Sequence, residues 1–294
     1  MEQLIKYIIN GVQVGSIYAL VALGYTMVYG IVKLINFAHG DFIMVGSYVS
    51  LLTVPYMINA GIPPWACILL AVIVCSLLGV LTERVAYKPL RGAGSLSVLI
   101  TAIAVSLLIE NAFLRIFTSS PRPFPTVFNV QALNLGGIQI SGITWLTIAV
   151  SVILMLLLQL FIKKTKMGKA MRAVSEDSGA AKLMGINVNT TISLTFAIGS
   201  GLAAVASVMY CSAYPLADPY MGSMLGLKAF IAAVLGGIGS IPGAMLGGFL
   251  IGIAESMTKA VSSQMADAVV FGILILVLLI KPTGILGKNI GEKV

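Results

Sequence analysis

The residues able to do chemistry in this chain are few and widely spaced. Its one histidine, His39, stands two positions before Asp41 and three after Asn36, between two apolar runs. A histidine beside a carboxylate can relay a proton near neutral pH. The simpler reading, a loop-stabilising pair at a cytosolic helix end, is preferred. Three carboxylates fall near the ends of apolar runs: Glu83, Glu110 and Glu255. Glu83, next to Arg84, reads as solvated, and Glu110 reads as paired with Arg115. Glu255 has Lys259 four residues on, the spacing of a helical ion pair. No Gly-x-x-x-x-Gly-Lys-Ser/Thr loop occurs: Gly168-Lys169 is followed by Ala170, and Gly287-Lys288 by Asn289. The chain therefore offers no such loop to the phosphates of ATP. His, Cys and carboxylates do not gather at metal-ligand spacing, so no metal or other cofactor is expected in the chain itself. Cys67, Cys75 and Cys211 lie inside apolar runs and read as small packing residues.

Composition accounts for this scarcity. Of 294 residues, 59% are hydrophobic and only 10% charged, with mean hydropathy +1.03. A soluble domain carries about 25% charged residues. So little charge cannot cover a globule in water, and lipid is the solvent that fits. The net charge of +8 would suggest nucleic acid in a soluble protein. Here the basic residues sit between apolar runs and read as topology signals facing anionic lipid, with no nucleic-acid partner. Met1 to Lys6 lack the charge pattern and cleavage site of a signal peptide, so the first apolar stretch reads as a retained span.

A membrane span needs about 20 apolar residues. Spans are expected near 8–31, 42–60, 65–83, 95–117, 143–162, 191–213, 225–240, 243–260 and 267–281. The seventh and eighth are glycine-rich and could form one hairpin that does not fully cross. The fold class is an all-α polytopic membrane protein of about eight or nine helices, some broken by glycine. The whole chain, 1–294, reads as a single transmembrane domain. With the N-terminus outside and nine crossings, thirteen of the 18 Lys and Arg fall inside. These are Lys33, Arg84, Lys88, Arg91, Lys163, Lys164, Lys166, Lys169, Arg172, Lys182, Lys281, Lys288 and Lys293. Lys6, Arg115, Arg122, Lys228 and Lys259 fall outside. That asymmetry supports an outside N-terminus and a cytosolic C-terminus. No carboxylates form a chain across the membrane, which argues against a proton- or sodium-driven carrier.

Two connections are long. Residues 118–142, with Ser119-Ser120-Pro121-Arg122-Pro123 and Leu135-Gly136-Gly137, spell an irregular external loop. Residues 163–190 form a cytosolic loop of another kind. Met167, Ala170, Met171 and Val174 recur at helical spacing, with Lys166, Lys169 and Arg172 between them, predicting an amphipathic helix. Asp177 can cap a second helix, Ser178 to Met184, and Gly185 suits its left-handed stop. Helix, turn, short helix is a shape made for docking. Asn189-Thr190-Thr191 matches a glycosylation sequon, without meaning on a cytosolic loop.

Two spans are interrupted. One break runs through Gly236, Gly237, Gly239, Ser240, Pro242 and Gly243; Gly239, Gly243 and Gly247 are spaced by four, as are Gly248 and Gly252. Such spacing lets helix backbones approach closely. Non-helical backbone at membrane depth also survives where it lines a cavity. Pore lining and a packing seam both fit. The other break holds Asn36, His39 and Asp41. Paired interruptions point to a transport site, and the two regions are candidates for a weak internal parallel repeat.

Three segments together resemble the branched-chain amino acid (Liv-type) ABC permeases. They are Gly15 to Tyr25 with Ile35 to Phe42, Gly168 to Val174 with Ala180 to Ile186, and Leu235 to Ala244. The likeness is closest to the shorter, H-type permease subunit. It implies a bacterial inner-membrane importer with a second related permease, two ATPase subunits that bind ATP and Mg, and an extracytoplasmic binding protein delivering leucine, isoleucine or valine. It also implies that Gly168, Arg172, Glu176, Asp177, Gly179, Ala180, Ala181 and Gly185 belong to the ATPase-docking loop. The wider importer pattern there is Glu-Ala-Ala, three residues, Gly. This chain has Gly179-Ala180-Ala181 and then Gly185, with Glu176 and Asp177 one turn earlier in place of the missing glutamate. The same machine carrying urea, short amides or another small amino acid is the alternative. A stand-alone carrier or channel, or a subunit without a pore, are the more distant ones.

Overall fold

The computed structural model describes residues 2–33, 35–135 and 138–287. Gly136 and Gly137 of the long external connection, and Lys288 and Lys293 of the basic group, lie outside them. The chain is almost wholly helical. The helices are α1 (Glu2–Val32), α2 (His39–Asn59), α3 (Cys67–Thr82), α4 (Ser95–Phe117), α5 (Gly142–Lys164), α6 (Lys166–Glu176) and α7 (Ser178–Leu183). They are followed by α8 (Val188–Ala213), α9 (Met221–Gly236), α10 (Ile241–Val261) and α11 (Ala266–Ile280). Among the described residues, eight helical stretches are long and apolar enough to cross a membrane, and α9 is a shorter apolar helix. At 1.5 Å per residue α9 is about 24 Å long, short of the roughly 30 Å hydrocarbon core.

The order of layers follows from burial. In its most apolar stretch 83% of α1 is buried, against 17% for α4 and 11% for the segment holding α11. So α1 runs through the centre, packed by α5, α8, α9 and α10, while α3, α4, α5 and α11 carry the exposed leucines and isoleucines that suit lipid. Lipid tails are as apolar as leucine, so helices associate there by close packing rather than by hiding apolar surface from water. The glycines supply the closeness. A Cβ built at Gly11 would stand 2.7 Å from the Ile253 Cα, and one at Gly15 2.8 Å from the Gly248 oxygen. From the other side, Gly248 faces Ala19 and Gly252 faces Gly15. One turn around α10, Gly243 and Gly247 lie against Gly236 and Ala232 of α9. Gly248 and Gly252 thus seat α10 on α1, and Gly243 and Gly247 seat it on α9.

The chain reverses at two ends. At one, the connection 118–141 carries short strands rather than being wholly irregular. Here β1 (Arg122–Pro123) pairs antiparallel with β4 (Leu216–Ala217), and β2 (Leu133–Leu135) with β3 (Ile138–Ile140). At the other, a small core of Val28, Tyr87, Val98, Val174, Ala181 and Phe196 joins the ends of α1, α3, α4 and α8 to α6 and α7. The boundaries shift from expectation in three places, the first being α1, which begins at Glu2 rather than near residue 8. Past Thr82 the third helix continues through a π-helical turn, Glu83–Tyr87, and a 3₁₀ turn, Lys88–Leu90. The seventh expected span is α9, 221–236 instead of 225–240, because Gly237 (φ 103°) and Gly239 (φ 95°) take left-handed backbone that ends it. Cys67, Cys75 and Cys211 are free and buried, as packing residues should be.

Overpacking a tight site costs about 1–3 kcal/mol, and more where the obstacle is backbone. Gly252→Leu should therefore lower the thermal midpoint of the purified protein clearly. Gly272→Leu on α11, where nothing lies within 4 Å of an added Cβ, should leave it nearly unchanged. Equal midpoints for the two variants would contradict the seam.

Candidate functional site

The element at 166–185 is built by short-range rules. Thr165 caps α6, its side chain accepting from the Gly168 N–H at 3.0 Å. Gly168 is buried against the backbone of Phe161 and Ile162, so α6 can fold back tightly beneath α5. Met171 and Val174 are buried, while Arg172 and Glu176 are exposed. Asp177 caps α7, accepting from the N–H groups of Gly179 and Ala180 at 2.8 and 2.9 Å. Ala181 is buried beneath α7, and Gly185 (φ 81°) takes the left-handed stop. Leu183 and Met184, on the outward side, are 90% and 83% exposed. Two large apolar side chains thus stand in the open at the end of a capped helix. Asp177 spends its carboxylate on the cap, which leaves Glu176 as the free acid nearest the missing glutamate.

The two breaks differ in kind. Lys33 (φ 57°) ends α1, and Asn36, His39 and Asp41 follow, all buried. The Tyr87 hydroxyl donates to Asn36 Oδ1 at 2.7 Å. His39 packs against Tyr25 with ring centroids 4.7 Å apart, its Nε2 directed at Gly24. No hydrogen bond joins His39 to Asp41 among the described residues, contrary to the expected pair. Two positions along a helix are about 200° apart, so the two side chains face different neighbours. Asn36 Nδ2, His39 Nε2 and Asp41 Oδ2 are each buried without a partner. At the second break Gly236 and Gly237 are buried, whereas Gly239 and Pro242 are exposed. Ser240 caps α10, accepting from the Gly243 N–H at 3.2 Å. The last carbonyls of α9, on Leu235 and Gly236, accept from the N–H groups of Ile285 and Leu286, both at 2.9 Å. The chain's own backbone thus satisfies the end of α9, and Gly236, Gly243 and Gly247 pack α9 against α10, while Gly239 stays open to a cleft. A cleft of about 90 Å³ lies between Thr26, Gly30, Ile162, Met171, Arg172 and Gly239. It is far below the roughly 300 Å³ of small-molecule pockets. It does bring the 166–185 element against α1 and the second break.

The carboxylates are arranged otherwise than their neighbours in sequence suggest. Glu83 is fully buried, not solvated: it pairs with Arg91 and accepts from the Ser193 hydroxyl at 2.6 Å. The π-helical turn widens the helix here and turns Glu83 inward. Glu110 makes no ion pair with Arg115 among the described residues; five positions apart they miss the shared face. Glu110 accepts instead from Ser223 of α9 at 3.1 Å. Glu255 pairs with Lys259 at 2.7 Å as expected, and in addition with Lys228 at 2.8 Å. The Tyr18 hydroxyl donates to it at 2.6 Å, and Lys228 also reaches Asp267 at 2.7 Å. Lys228, grouped above with the external charges, is buried midway along α9. A lysine inside an apolar, glycine-rich span was the signal that could have found this cluster. It ties α1, α9, α10 and α11 together near the strand-bearing end.

A multi-pass, all-α membrane protein with helices broken at paired glycines and a capped, apolar-tipped element at one end is the class these features define. The chain belongs to the family described as branched-chain amino acid transport system / permease component, whose model matches residues 7–279. It is 46% identical over 302 residues to the high-affinity branched-chain amino acid transport system permease protein BraD of Pseudomonas aeruginosa, covering 99% of this chain and 98% of that one. It is 44% identical over 303 residues to the permease protein LivH of Escherichia coli, of the same printed description, with 99% and 97% covered. Among solved structures it is similar to PsaBC from Streptococcus pneumoniae in complex with Fab, at TM-score 0.48 and 15% identity, with 93% and 91% covered. The resemblance carried by the three motifs therefore extends over nearly the whole chain.

Removing one partner of a buried ion pair costs about 3–5 kcal/mol, while replacing both by apolar groups costs far less. Glu255→Met alone, which leaves the buried Lys228 only the half-exposed Asp267, should destabilise the protein by no more than about 3 kcal/mol, the lower end of that range. Lys228→Met/Glu255→Met should recover much of the loss in thermal midpoint. Additive losses would show that the pair is not coupled.

Proposed function

We propose that this chain is a membrane-spanning permease subunit of an ATP-binding-cassette importer for leucine, isoleucine and valine. It acts in a bacterial inner membrane, with its N-terminus outside and its C-terminus in the cytosol. The full-length likeness to permeases named for high-affinity branched-chain amino acid transport carries this reading. In this reading the chain works beside a second homologous permease, with two ATPase subunits binding ATP and Mg and a binding protein delivering the amino acid from outside.

The capped α6–α7 element supports a docking role, because Leu183 and Met184 offer apolar contacts with a basic surround of Lys166, Lys169, Arg172 and Lys182. ATP closes the ATPase pair and pushes this element. Met171 and Arg172 share a cleft with α1 and Gly239, so the push reaches the central helix and the second break directly. The route itself needs only weak contacts with an aliphatic cargo, since the binding protein supplies affinity. Hydrolysis belongs to the partner subunits.

Leu183→Asp changes an exposed side chain and should leave the fold intact while reducing ATP-stimulated leucine uptake to the level seen without ATP. Gly185→Pro, which cannot adopt φ 81°, and Ala181→Glu should do the same with membrane insertion preserved. Normal ATP-stimulated uptake by all three variants would remove the docking assignment.

A further inference from the structure

A second cleft, of about 400 Å³, opens between the third helix and α8 at the same end as α6 and α7. It is lined by Val80, Arg84, Lys88, Asn189, Thr190, Ser193, Leu194 and Ala197, of which the argument needs the gradient they make. The two helices run antiparallel. Descending the third helix, the lining passes from Val80 to Arg84 to Lys88. On α8 it passes from Ala197 and Leu194 to Ser193, Thr190 and Asn189. Both walls are therefore apolar on the membrane side and cationic or hydroxylic at the helix ends. Leu77, Leu81 and Val85 beside it are 56–68% exposed, so this face of the third helix is open to lipid.

The charge balance of the cleft is positive. Arg84 and Lys88 are exposed and have no acidic partner among the described residues. The nearby carboxylate, Glu83, is buried against the α8 wall, where it accepts from Ser193 at 2.6 Å and is neutralised by Arg91, which also donates to Asn189 Oδ1 at 2.7 Å. The first turn of α8, whose Thr190 and Thr191 N–H groups are spent on Asn187, adds its positive dipole end. Basic pockets between spans at the aqueous boundary suit anionic lipid headgroups, each cation being worth about a fivefold change in occupancy.

We propose that this cleft binds an anionic phospholipid, its phosphate between Arg84, Lys88 and the start of α8, its acyl chain along Val80, Leu194 and Ala197. The site adjoins the chain that leads from α7 through Gly185 into α8, so a bound lipid braces α8 where the α6–α7 element joins it.

The test is native mass spectrometry of the full-length protein released from detergent after mixing with phosphatidylglycerol, phosphatidylcholine or inorganic phosphate. Wild type is expected to retain phosphatidylglycerol over phosphatidylcholine. Arg84→Gln/Lys88→Gln should lower that retention roughly 25-fold, and Thr190→Glu should lower it as well. Lys163→Gln/Lys164→Gln, which removes two exposed cations elsewhere at the same end, should not. Equal retention by wild type and the Arg84/Lys88 variant would overturn the site. Displacement of the lipid by millimolar inorganic phosphate would also overturn it, by showing an anion site without lipid character.

Discussion

Backbone-to-backbone contact between α1 and α10 is the constraint on which the rest of this protein depends. In lipid there is little gain from hiding apolar surface, so what holds helices together is dispersion at close range and a few polar links. Gly11, Gly15 and Ala19 on α1, and Gly248 and Gly252 on α10, remove the side chains that would keep the axes apart. The seam fixes α10 on one side of the central helix. The Tyr18–Glu255–Lys228 cluster then fixes α9 and α11 around α10. On the opposite side Gly24, His39 and Gly199 stack between α1, α2 and α8 under the same rule of smallness. The outer helices α3, α4, α5 and α11 contribute their large aliphatic side chains mostly to lipid.

Much of this was legible because local rules decide it. The capped helix after Asp177, the left-handed stop at Gly185 and the buried Met171 and Val174 each follow from a handful of adjacent residues. Apolar run length placed most of the spans to within a few residues. The rest was hidden because its causes are distant in sequence. Nothing near Glu83 announces Ser193, 110 residues on, and the pairing with Arg91 needs a π turn that no periodicity foretells. Lys228 lies 27 residues from Glu255, and only the fold brings them together. His39 and Asp41 are adjacent in the chain and unpaired in space, where helical geometry overrules proximity. The glycine run near 240 was ambiguous between cavity and seam, since both demand small residues. The hydrogen bonds from Ile285 and Leu286 that close the end of α9 were not legible beside it, because they come from residues some 50 positions further on.

The placement of the α6–α7 element connects architecture to the proposed function. An exposed apolar tip at Leu183 and Met184 can grip a partner, and the buried side of the same element rests on α1 and the second break. Movement imposed at the tip therefore has a short mechanical path to the most central helix of the molecule. The buried, unpartnered atoms of Asn36, His39 and Asp41 lie on the α1–α2 connection and the first turn of α2 at that same end.

The most direct measurement is uptake of radiolabelled leucine and urea, in parallel, by vesicles holding this chain with its partner permease, ATPases and binding protein. The account predicts ATP-driven uptake of leucine that disappears when this chain or the ATPases are left out, with no uptake of urea. Urea uptake alone would reassign the cargo, and uptake of either solute without the ATPases would contradict the mechanism.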